Sequence, residues 1–185
     1  KEESTAPMAT RINGTEAADT LIGGLGVDVI NGNGGNDSIE GKAGDDVLFG
    51  GAGNDNIDAG EGNNEVYGGL GNDTITAGAG GDTIWGGASD DDPGVDGSDT
   101  IHAGGGDDVV RGEGGDDSVY GQTGDDSLRG GSGDDKLYGG EGSDTIYGES
   151  GADTIDGGLR KNQCGKNIYL RKSKVRSLFW REEYL

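Results

Sequence analysis

The chain has 185 residues, of which 43 are glycine, 29% are hydrophobic and only 5% are aromatic. This composition excludes an ordinary globular core, and the net charge of -22 argues against nucleic acid as a partner, because proteins neutralise its phosphates with clustered Lys and Arg. No apolar run is long enough to span a membrane. The acidity instead favours cations as partners.

Residues 1–13 are a polar lead, and from residue 14 the chain divides into units of nine residues. Eight units follow without interruption as far as Trp85. The ninth unit, residues 86–102, carries eight additional residues, SDDDPGVD at 89–96, between its third and fourth positions, and six further units end at Asp156. We therefore predict one domain of fifteen repeats over residues 14–158.

Three positions of the unit are constant along the chain. Position 4 is glycine in every unit but the first, and position 8 is always Leu, Ile or Val. Position 6 is aspartate in every unit except the sixth, which has Asn64. The aspartates are Asp19, Asp28, Asp37, Asp46, Asp55, Asp73, Asp82, Asp99, Asp108, Asp117, Asp126, Asp135, Asp144 and Asp153.

A nine-residue unit with one obligatory aliphatic side chain is too short for a helix and indicates a glycine-rich turn followed by a three-residue strand. Two such units complete a coil, so turns two units apart share an edge. We therefore predict an all-β fold, a right-handed parallel β-roll (β-helix solenoid) with two short parallel sheets. The position-6 carboxylates of stacked turns are then about 4.8 Å apart.

Carboxylates at this spacing repel each other unless a cation lies between them. Zinc prefers His or Cys, and the chain has only His102 and Cys164, whereas magnesium requires a stricter octahedron and keeps its waters. Calcium takes six to eight oxygen ligands in tolerant geometry. The pattern therefore predicts Ca²⁺, with an upper bound of thirteen sites when fifteen turns pair two units apart.

Period, glycine, aspartate and aliphatic positions together resemble the RTX calcium-binding nonapeptide repeats, G-G-x-G-x-D-x-U-x. The resemblance implies that turn carbonyls and all fourteen position-6 aspartates bind calcium between successive coils. It also implies a secreted, extracellular bacterial protein exported by type I secretion, with a catalytic or adhesive domain upstream. The loss of a charge at Asn64 is expected to weaken the sites shared with Asp46 and Asp82.

Two segments do not follow the repeat. The insertion is expected to disturb the sites that Asp99 shares with Asp82 and Asp117, and is interpreted as a solvated loop, with an extra calcium site as the alternative. From Leu159 onwards the chain is basic, with eight Lys or Arg and two Glu. Two hypotheses for this tail stay open, an incidental or non-native end and a basic amphipathic element. The second places four apolar residues near helical spacing: Ile168, Val175, Leu178 and Phe179. No C-terminal cap is evident.

No HExxH, G-x-S-x-G or P-loop motif occurs, and carboxylate pairs such as Asp107 and Asp108 recur with the repeat. We therefore predict a binding region and not an enzyme, which folds from disorder when calcium binds because its core is thin and acidic. One alternative is a repeat fragment of a toxin, protease or lipase.

Another alternative is a carbohydrate-binding accessory module of an extracellular polysaccharide-modifying enzyme. It depends on a ribbon of aromatic side chains at position 9, flanking the strands, on which sugar rings could stack. The competing interpretation is that these rings cover the strands and shield the core. The ribbon consists of Phe49, Tyr67, Trp85, Tyr120, Tyr138 and Tyr147.

Overall fold

The computed structural model describes residues 9–87, 96–159 and 177–181. The described residues form strands and turns and contain no helix, hence no helix that could cross a membrane. The first sixteen strands along the chain alternate between two parallel sheets, which gives a β-solenoid of about eight coils. The prediction of an all-β parallel roll with two sheets is confirmed.

The two sheets contain strands of three to seven residues. The first sheet has eight strands, β1 (Thr10–Asn13), β3 (Asp28–Gly34), β5 (Val47–Ala52), β7 (Glu65–Leu70), β9 (Thr83–Gly87), β11 (Val109–Gly114), β13 (Ser127–Ser132) and β15 (Thr145–Ser150). The second sheet has nine strands, β2 (Thr20–Ile22), β4 (Ser38–Glu40), β6 (Asn56–Asp58), β8 (Thr74–Ala79), β10 (Thr100–Gly105), β12 (Ser118–Thr123), β14 (Lys136–Glu141), β16 (Thr154–Leu159) and β17 (Ser177–Arg181).

Most strands are longer than the three residues predicted. β2, β4 and β6 have three residues, but most others have six and run from position 7 of one unit to position 3 of the next. The glycines after the aliphatic residue continue the parallel pairing, as Gly51 does with Gly69. The turn itself is therefore confined to positions 4 to 6.

Each end of the roll has a strand that the repeat count does not include. β1 pairs in register with β3, so the sheet begins before residue 14. β17, from the basic tail, pairs parallel with β16 and covers the end of the second sheet. Leu178 and Phe179 therefore lie in a strand and not in a helix, which corrects the helical hypothesis for these two residues. Ile168, Val175 and Cys164 lie outside the described residues.

The insertion leaves the coils in register. Hydrogen-bonded turns are 18 residues apart elsewhere and 26 apart across the insertion, as between Asp73 and Asp99. The difference equals the eight inserted residues, and β10 pairs in register with both β8 and β12. Residues 89–95 lie outside the described residues, so the solvated loop remains a prediction for them.

The core is a single column of aliphatic side chains on each sheet. All fifteen position-8 side chains are buried, and their neighbours along each strand are half-buried or exposed, as expected when successive side chains point to opposite faces of a sheet. Ala59, Ala77 and Ala103 add three buried methyl groups at position 1. A core one side chain wide does not by itself offset the conformational entropy that a glycine-rich chain loses on folding.

Close stacking of the coils fixes the glycine at position 4. Gly124 has a φ of 135°, which L side chains rarely adopt, and a Cβ there would overlap the carbonyl oxygen of Gly106 in the preceding coil. Gly24, at position 2, has no such neighbour: its Cβ would meet only Oδ2 of Asp28, at 3.6 Å.

Gly124→Ala should therefore lower the free energy of unfolding by about 1–3 kcal/mol or more, because it combines backbone strain with an overlap of coils. Gly24→Ala is the matched control and should change this free energy by less than about 1 kcal/mol. Thermal unfolding of both variants in the same calcium-containing buffer checks the difference. Equal melting temperatures for the two variants would contradict the packing described here.

Candidate metal centres

The position-6 side chains form two columns, one at each edge of the roll. In each column the backbone N–H of one aspartate donates to Oδ1 of the aspartate one coil further on, at 2.9 Å between Asp99 and Asp117. The first column, which leads into the first sheet, contains Asp28, Asp46, Asn64, Asp82, Asp108, Asp126 and Asp144. The second column contains Asp19, Asp37, Asp55, Asp73, Asp99, Asp117, Asp135 and Asp153.

The partner predicted for Asp99 on one side is wrong. Asp73 precedes Asp99 in its column, with the Asp73 N–H donating to Asp99 Oδ1 at 2.8 Å, whereas Asp82 lies in the other column. Asp82 belongs to the directly preceding unit, and adjacent units turn at opposite edges. The hydrogen bonds on both sides of Asp99 are intact, so the insertion does not break the column.

Each carboxylate in these columns has two oxygens with different surroundings. Oδ1 accepts a hydrogen bond from the neighbouring coil, but Oδ2 is buried without a hydrogen-bond partner in twelve aspartates, all at most 6% exposed. They are Asp37, Asp46, Asp55, Asp73, Asp82, Asp99, Asp108, Asp117, Asp126, Asp135, Asp144 and Asp153. A buried anionic oxygen without a partner is costly, so these positions require a compensating charge or a proton.

Asp19 and Asp28, in the first coil, differ from the other twelve. Oδ2 of Asp28 accepts the backbone N–H of Gly24 at 2.5 Å. Oδ2 of Asp19 accepts the N–H and the hydroxyl of Thr15, at 2.6 and 2.9 Å. Hydrogen bonds within the first coil therefore provide partners for Oδ2 of both residues. Of the fourteen predicted ligands, Asp19 and Asp28 depend least on a cation for compensation of this oxygen.

Each unpaired Oδ2 faces a small space beside the position-1 residue of its unit, lined by backbone carbonyl oxygens and here called the cradle. A Cβ added to Gly86, at position 1 of the ninth unit, would lie 2.6 Å from Asp99 Oδ2 and 2.9 Å from the carbonyl oxygen of Gly112 in the next coil. Both oxygens therefore converge on the space that the absent side chain leaves open. The same arrangement of position 1, carboxylate and carbonyl recurs along both columns.

Asn64 shows how the cradle is satisfied when an amide replaces the carboxylate. Its Oδ1 accepts the N–H of Asp46 at 3.0 Å, which directs Nδ2 into the cradle. There Nδ2 donates to the carbonyl oxygens of Gly62 and Ala77, at 3.3 and 3.5 Å. An aspartate has only oxygen at this point, so the carbonyls that suit the amide donors repel the carboxylate unless a cation lies between them.

The donor set favours a hard cation. Within the described ranges, no cluster of three or more His, Cys, Asp or Glu side chains could hold a metal. A site must therefore combine one or two carboxylates with backbone carbonyls, and mixed carboxylate and carbonyl ligation is characteristic of Ca²⁺. The residues present fit calcium.

Comparison with known families agrees with this chemistry. The family model of the RTX calcium-binding nonapeptide repeat matches residues 9–39, 31–66, 67–92, 93–128 and 129–159. The chain belongs to the RTX calcium-binding nonapeptide repeat family. Repeats of this family are structural calcium-binding units, typically from secreted proteins. A search of curated proteins found no match.

A further ladder, at position 5 of the RTX unit, was not predicted. In ten units a side-chain oxygen at this position accepts the N–H of position 5 in the next coil, as Asp107 accepts that of Asp125 at 2.8 Å. The acceptors are Asn36, Asp45, Asn54, Asn63, Asn72, Ser98, Asp107, Asp116, Asp125 and Asp134. In the sequence, the only sign of this ladder is the recurrence of Asn and Asp at position 5 of the unit.

The two columns are not equivalent at their centres. Ala59, Ala77 and Ala103 occupy position 1 in three successive units of the first column, whereas the second column has glycine at position 1 throughout. Their buried methyl groups occupy the position that is left open beside Gly86. Together with Asn64, these alanines make the second column the more uniform row of cradles.

The aromatic residues at position 9 stack on one another along the sheets. Ring centroids are 4.5 to 4.9 Å apart and the ring planes lie within 9° of parallel. The stacks consist of Phe49, Tyr67 and Trp85 on the first sheet and of His102, Tyr120 and Tyr138 on the second. Because stacked rings cover each other's faces, the arrangement favours shielding of the strands over stacking on sugars.

Burial raises the pKa of ten column carboxyls, those of Asp46, Asp55, Asp73, Asp82, Asp99, Asp108, Asp117, Asp126, Asp135 and Asp153. Desolvation is the largest cause, the backbone N–H donor opposes it, and neighbouring carboxylates add to it. The pKa is about 9 for Asp99, about 8 for Asp117, about 7 for Asp73, Asp108 and Asp135, and about 6 for Asp82 and Asp126. In the ion-free roll the carboxyls of Asp99 and Asp117, whose pKa values lie above 7, therefore favour the protonated form at neutral pH.

The ion-free roll should become more stable as the pH falls from about 8 to about 5. Its raised carboxyl pKa values make it bind more protons than the unfolded chain, so this stability is lost as the pH rises through them. Far-ultraviolet circular dichroism and thermal unfolding in calcium-depleted buffer measure the trend. Greater stability at the alkaline end would contradict it.

Asp126→Asn should bind about one calcium ion fewer and should stabilise the ion-free roll by roughly 1–3 kcal/mol, because the amide donates to the cradle as Asn64 does. Asp125→Asn is the matched control, since it removes the same charge from an exposed neighbour and keeps the acceptor of the Ser143 N–H. Calorimetric titration and thermal unfolding distinguish the two. The expectation fails if both variants behave alike.

Proposed function

We propose that residues 14–158 are the calcium-binding RTX region of a secreted bacterial protein and that this region folds from disorder when calcium binds between turns of the same edge. The observation that carries the proposal is the set of twelve buried Oδ2 atoms without partners, aligned in two columns. Calcium, when bound, supplies the positive charge that these oxygens and the facing carbonyls require.

The contacts of Asn64 indicate which atoms of the other units would hold the ion. Nδ2 of Asn64 reaches the position-4 carbonyl of its own unit and the position-1 carbonyl of the unit two further on. We therefore assign to each site a position-6 Oδ2 and these two carbonyls, with all fourteen position-6 aspartates as candidate ligands. Thirteen pairs of adjacent turns set the upper bound, seven in the second column and six in the first.

The same atoms support the coupling of folding to binding. Each unit that stacks buries a further carboxylate beside those already present in its column, on a chain whose net charge is already -22. The narrow aliphatic core does not compensate for this repulsion and for the entropy of ordering. A chain that meets little calcium before export and much more outside would then fold only after it leaves the cell.

We further propose that the region binds and folds without catalysing a reaction, beside a catalytic or adhesive domain of the same protein. The buried aspartates of the described part all belong to the columns, and His102 belongs to an aromatic stack. No carboxylate or histidine among them departs from the repeat, as an isolated catalytic group is expected to do.

Titration of calcium into chelator-treated protein, followed by far-ultraviolet circular dichroism and calorimetry, tests the proposal. We expect a cooperative change from disordered chain to β-structure, with heat of binding over the same calcium range. Magnesium at the same concentrations should not produce it, because Mg²⁺ retains its waters and requires stricter geometry.

Two outcomes would contradict the folding switch. Full β-structure at neutral pH in excess chelator would show that the roll does not need the ion. Calcium binding without a change in the circular dichroism spectrum would show that binding and folding are not coupled.

A further inference from the structure

A notch on the outer face of the first sheet lies across β11, β13 and β15. Two rows of paired positions cross these three strands there. The rows are Arg111, Arg129 and Tyr147, and Glu113, Gly131 and Glu149. Because Gly131 has no side chain, the notch opens between the two glutamates, with both arginines along one side and a volume of about 60 Å³.

The two arginines are neighbours although the roll has few cations. Residues 14–158 contain four Lys or Arg, and two of the four, Arg111 and Arg129, occupy directly paired positions. Like charges directly opposite each other on neighbouring strands are destabilising. This pairing therefore does not stabilise the sheet, and an anionic group bound to both guanidinium groups would remove the repulsion.

The two guanidinium groups differ in their partners. Arg129 Nη1 donates to Glu149 Oε1 at 3.3 Å, and Cζ of Arg129 lies 5.2 Å from the centroid of the Tyr147 ring. Both contacts hold Arg129 towards β15. Arg111 forms no hydrogen bond or ion pair with any residue in the described ranges. Its exposed guanidinium therefore keeps its donors for a ligand.

The glutamates beside the notch have a strained backbone. Among the described residues, five that are not glycine have positive φ, all at position 2 of the unit, and Glu113 and Glu149 are two of them, with φ of 75° and 66°. Most units have glycine at this position, which adopts such φ values without strain. Strain of this kind clusters at binding and active sites. Here it places a carboxylate on each side of Gly131.

The charge and size of the notch define the group that fits it. Two arginines and two glutamates carry no net charge, so the site tolerates one added negative charge better than two. A carboxylate is singly charged and planar, and it matches the paired N–H donors of a guanidinium. Whole small ligands occupy pockets of about 300–1,000 Å³, so a notch of about 60 Å³ accepts one group of a ligand, and the remainder lies on the sheet.

We propose that this notch binds the carboxylate of a sugar acid through the guanidinium groups of Arg111 and Arg129. Hydroxyl groups of the sugar donate to Glu113 and Glu149, since a carboxylate can accept several hydrogen bonds at once. This surface differs from the stacked rings of the first sheet, which end at Trp85 on the neighbouring strand.

The inference rests on the calcium-binding function proposed above, because stacked coils assemble the notch. Its three strands are joined through positions 111, 129 and 147, each 18 residues after the one before. The unfolded chain does not hold these positions together. The region therefore acquires its sugar-acid site when calcium folds it.

Calorimetric titration of D-glucuronate into the full chain in saturating calcium tests the site. We expect a dissociation constant on the order of 1 mM, as for a small ligand held at one end. Acetate has the carboxylate without the hydroxyl groups and should bind more weakly. D-Glucose, which has no carboxylate, and sulfate, which has two negative charges, should not bind measurably.

Arg111→Gln should weaken the binding of glucuronate about tenfold or more, because charge-assisted hydrogen bonds are lost. Since Arg111 has no partner among the described residues, the variant should fold with calcium as the unaltered protein does. Arg11→Gln is the matched control. Arg11 is exposed on β1 at the other end of the same sheet, so this variant removes the same charge and should keep its affinity for glucuronate.

Glucuronate should also lower the calcium concentration at which half of the protein is folded, because a ligand that binds only the folded roll stabilises it. We expect this shift in the unaltered protein and in Arg11→Gln but not in Arg111→Gln. Any binding of calcium by glucuronate in solution is the same for all three proteins, so the comparison isolates the notch.

The outcomes separate this inference from the calcium switch. Absence of glucuronate binding by the calcium-folded protein, or equal affinity in Arg111→Gln, would overturn the site and leave the switch intact. Binding of glucose or sulfate as tight as that of glucuronate would overturn its assignment to a sugar acid. Failure of the unaltered protein to fold with calcium would overturn the proposed function itself.

Discussion

The roll depends on the two oxygens of one repeated carboxylate. Oδ1 of each position-6 aspartate accepts a backbone N–H from the adjacent coil and so aligns the stack, while Oδ2 is buried among carbonyl oxygens. The residue that orders the coils is therefore also the one that makes their stacking unfavourable. A proton on the carboxyl, an amide in place of the carboxylate as in Asn64, or a bound cation can each remove the repulsion between Oδ2 and the carbonyl oxygens. Of the three, only the cation leaves the aspartate of the repeat ionised.

The regular part of this arrangement could be predicted because each unit packs on the unit two away. A fixed period with aliphatic residues at position 8 and aspartates at position 6 places both in columns whatever the other residues are. The same rule pairs Asp99 with Asp73, which lies two units earlier. The predicted pairing of Asp99 with Asp82 is wrong because Asp82 belongs to the adjacent unit, which turns at the opposite edge of the roll. The strands are longer than the predicted three residues because positions 2 and 3 of the following unit also pair, as Gly51 does with Gly69 and Ala52 with Leu70.

Other features depend on contacts that the period does not encode. Asn and Asp at position 5 are ordinary turn residues, and only the N–H that each accepts shows that they form a ladder opposite in direction to that of position 6. β1 and β17 join the sheets through backbone pairing, which needs no repeat motif. Asp96, the last inserted residue, accepts the N–H of Gly114 at 3.2 Å, so the prediction of a solvated loop is wrong for this residue, whose contact depends on where the insertion rejoins the coil.

The insertion also has a consequence for what the solenoid can carry. The eight inserted residues lie between positions 3 and 4 of the ninth unit, and the strands on both sides keep their register. Because the inserted segment begins and ends within one turn, the stacked coils do not limit its length. Each doubling of the length of this loop costs only about 0.6 kcal/mol of loop-closure entropy. The ninth turn is therefore a graft point, at which a longer peptide or an entire domain can be displayed from the side of the roll.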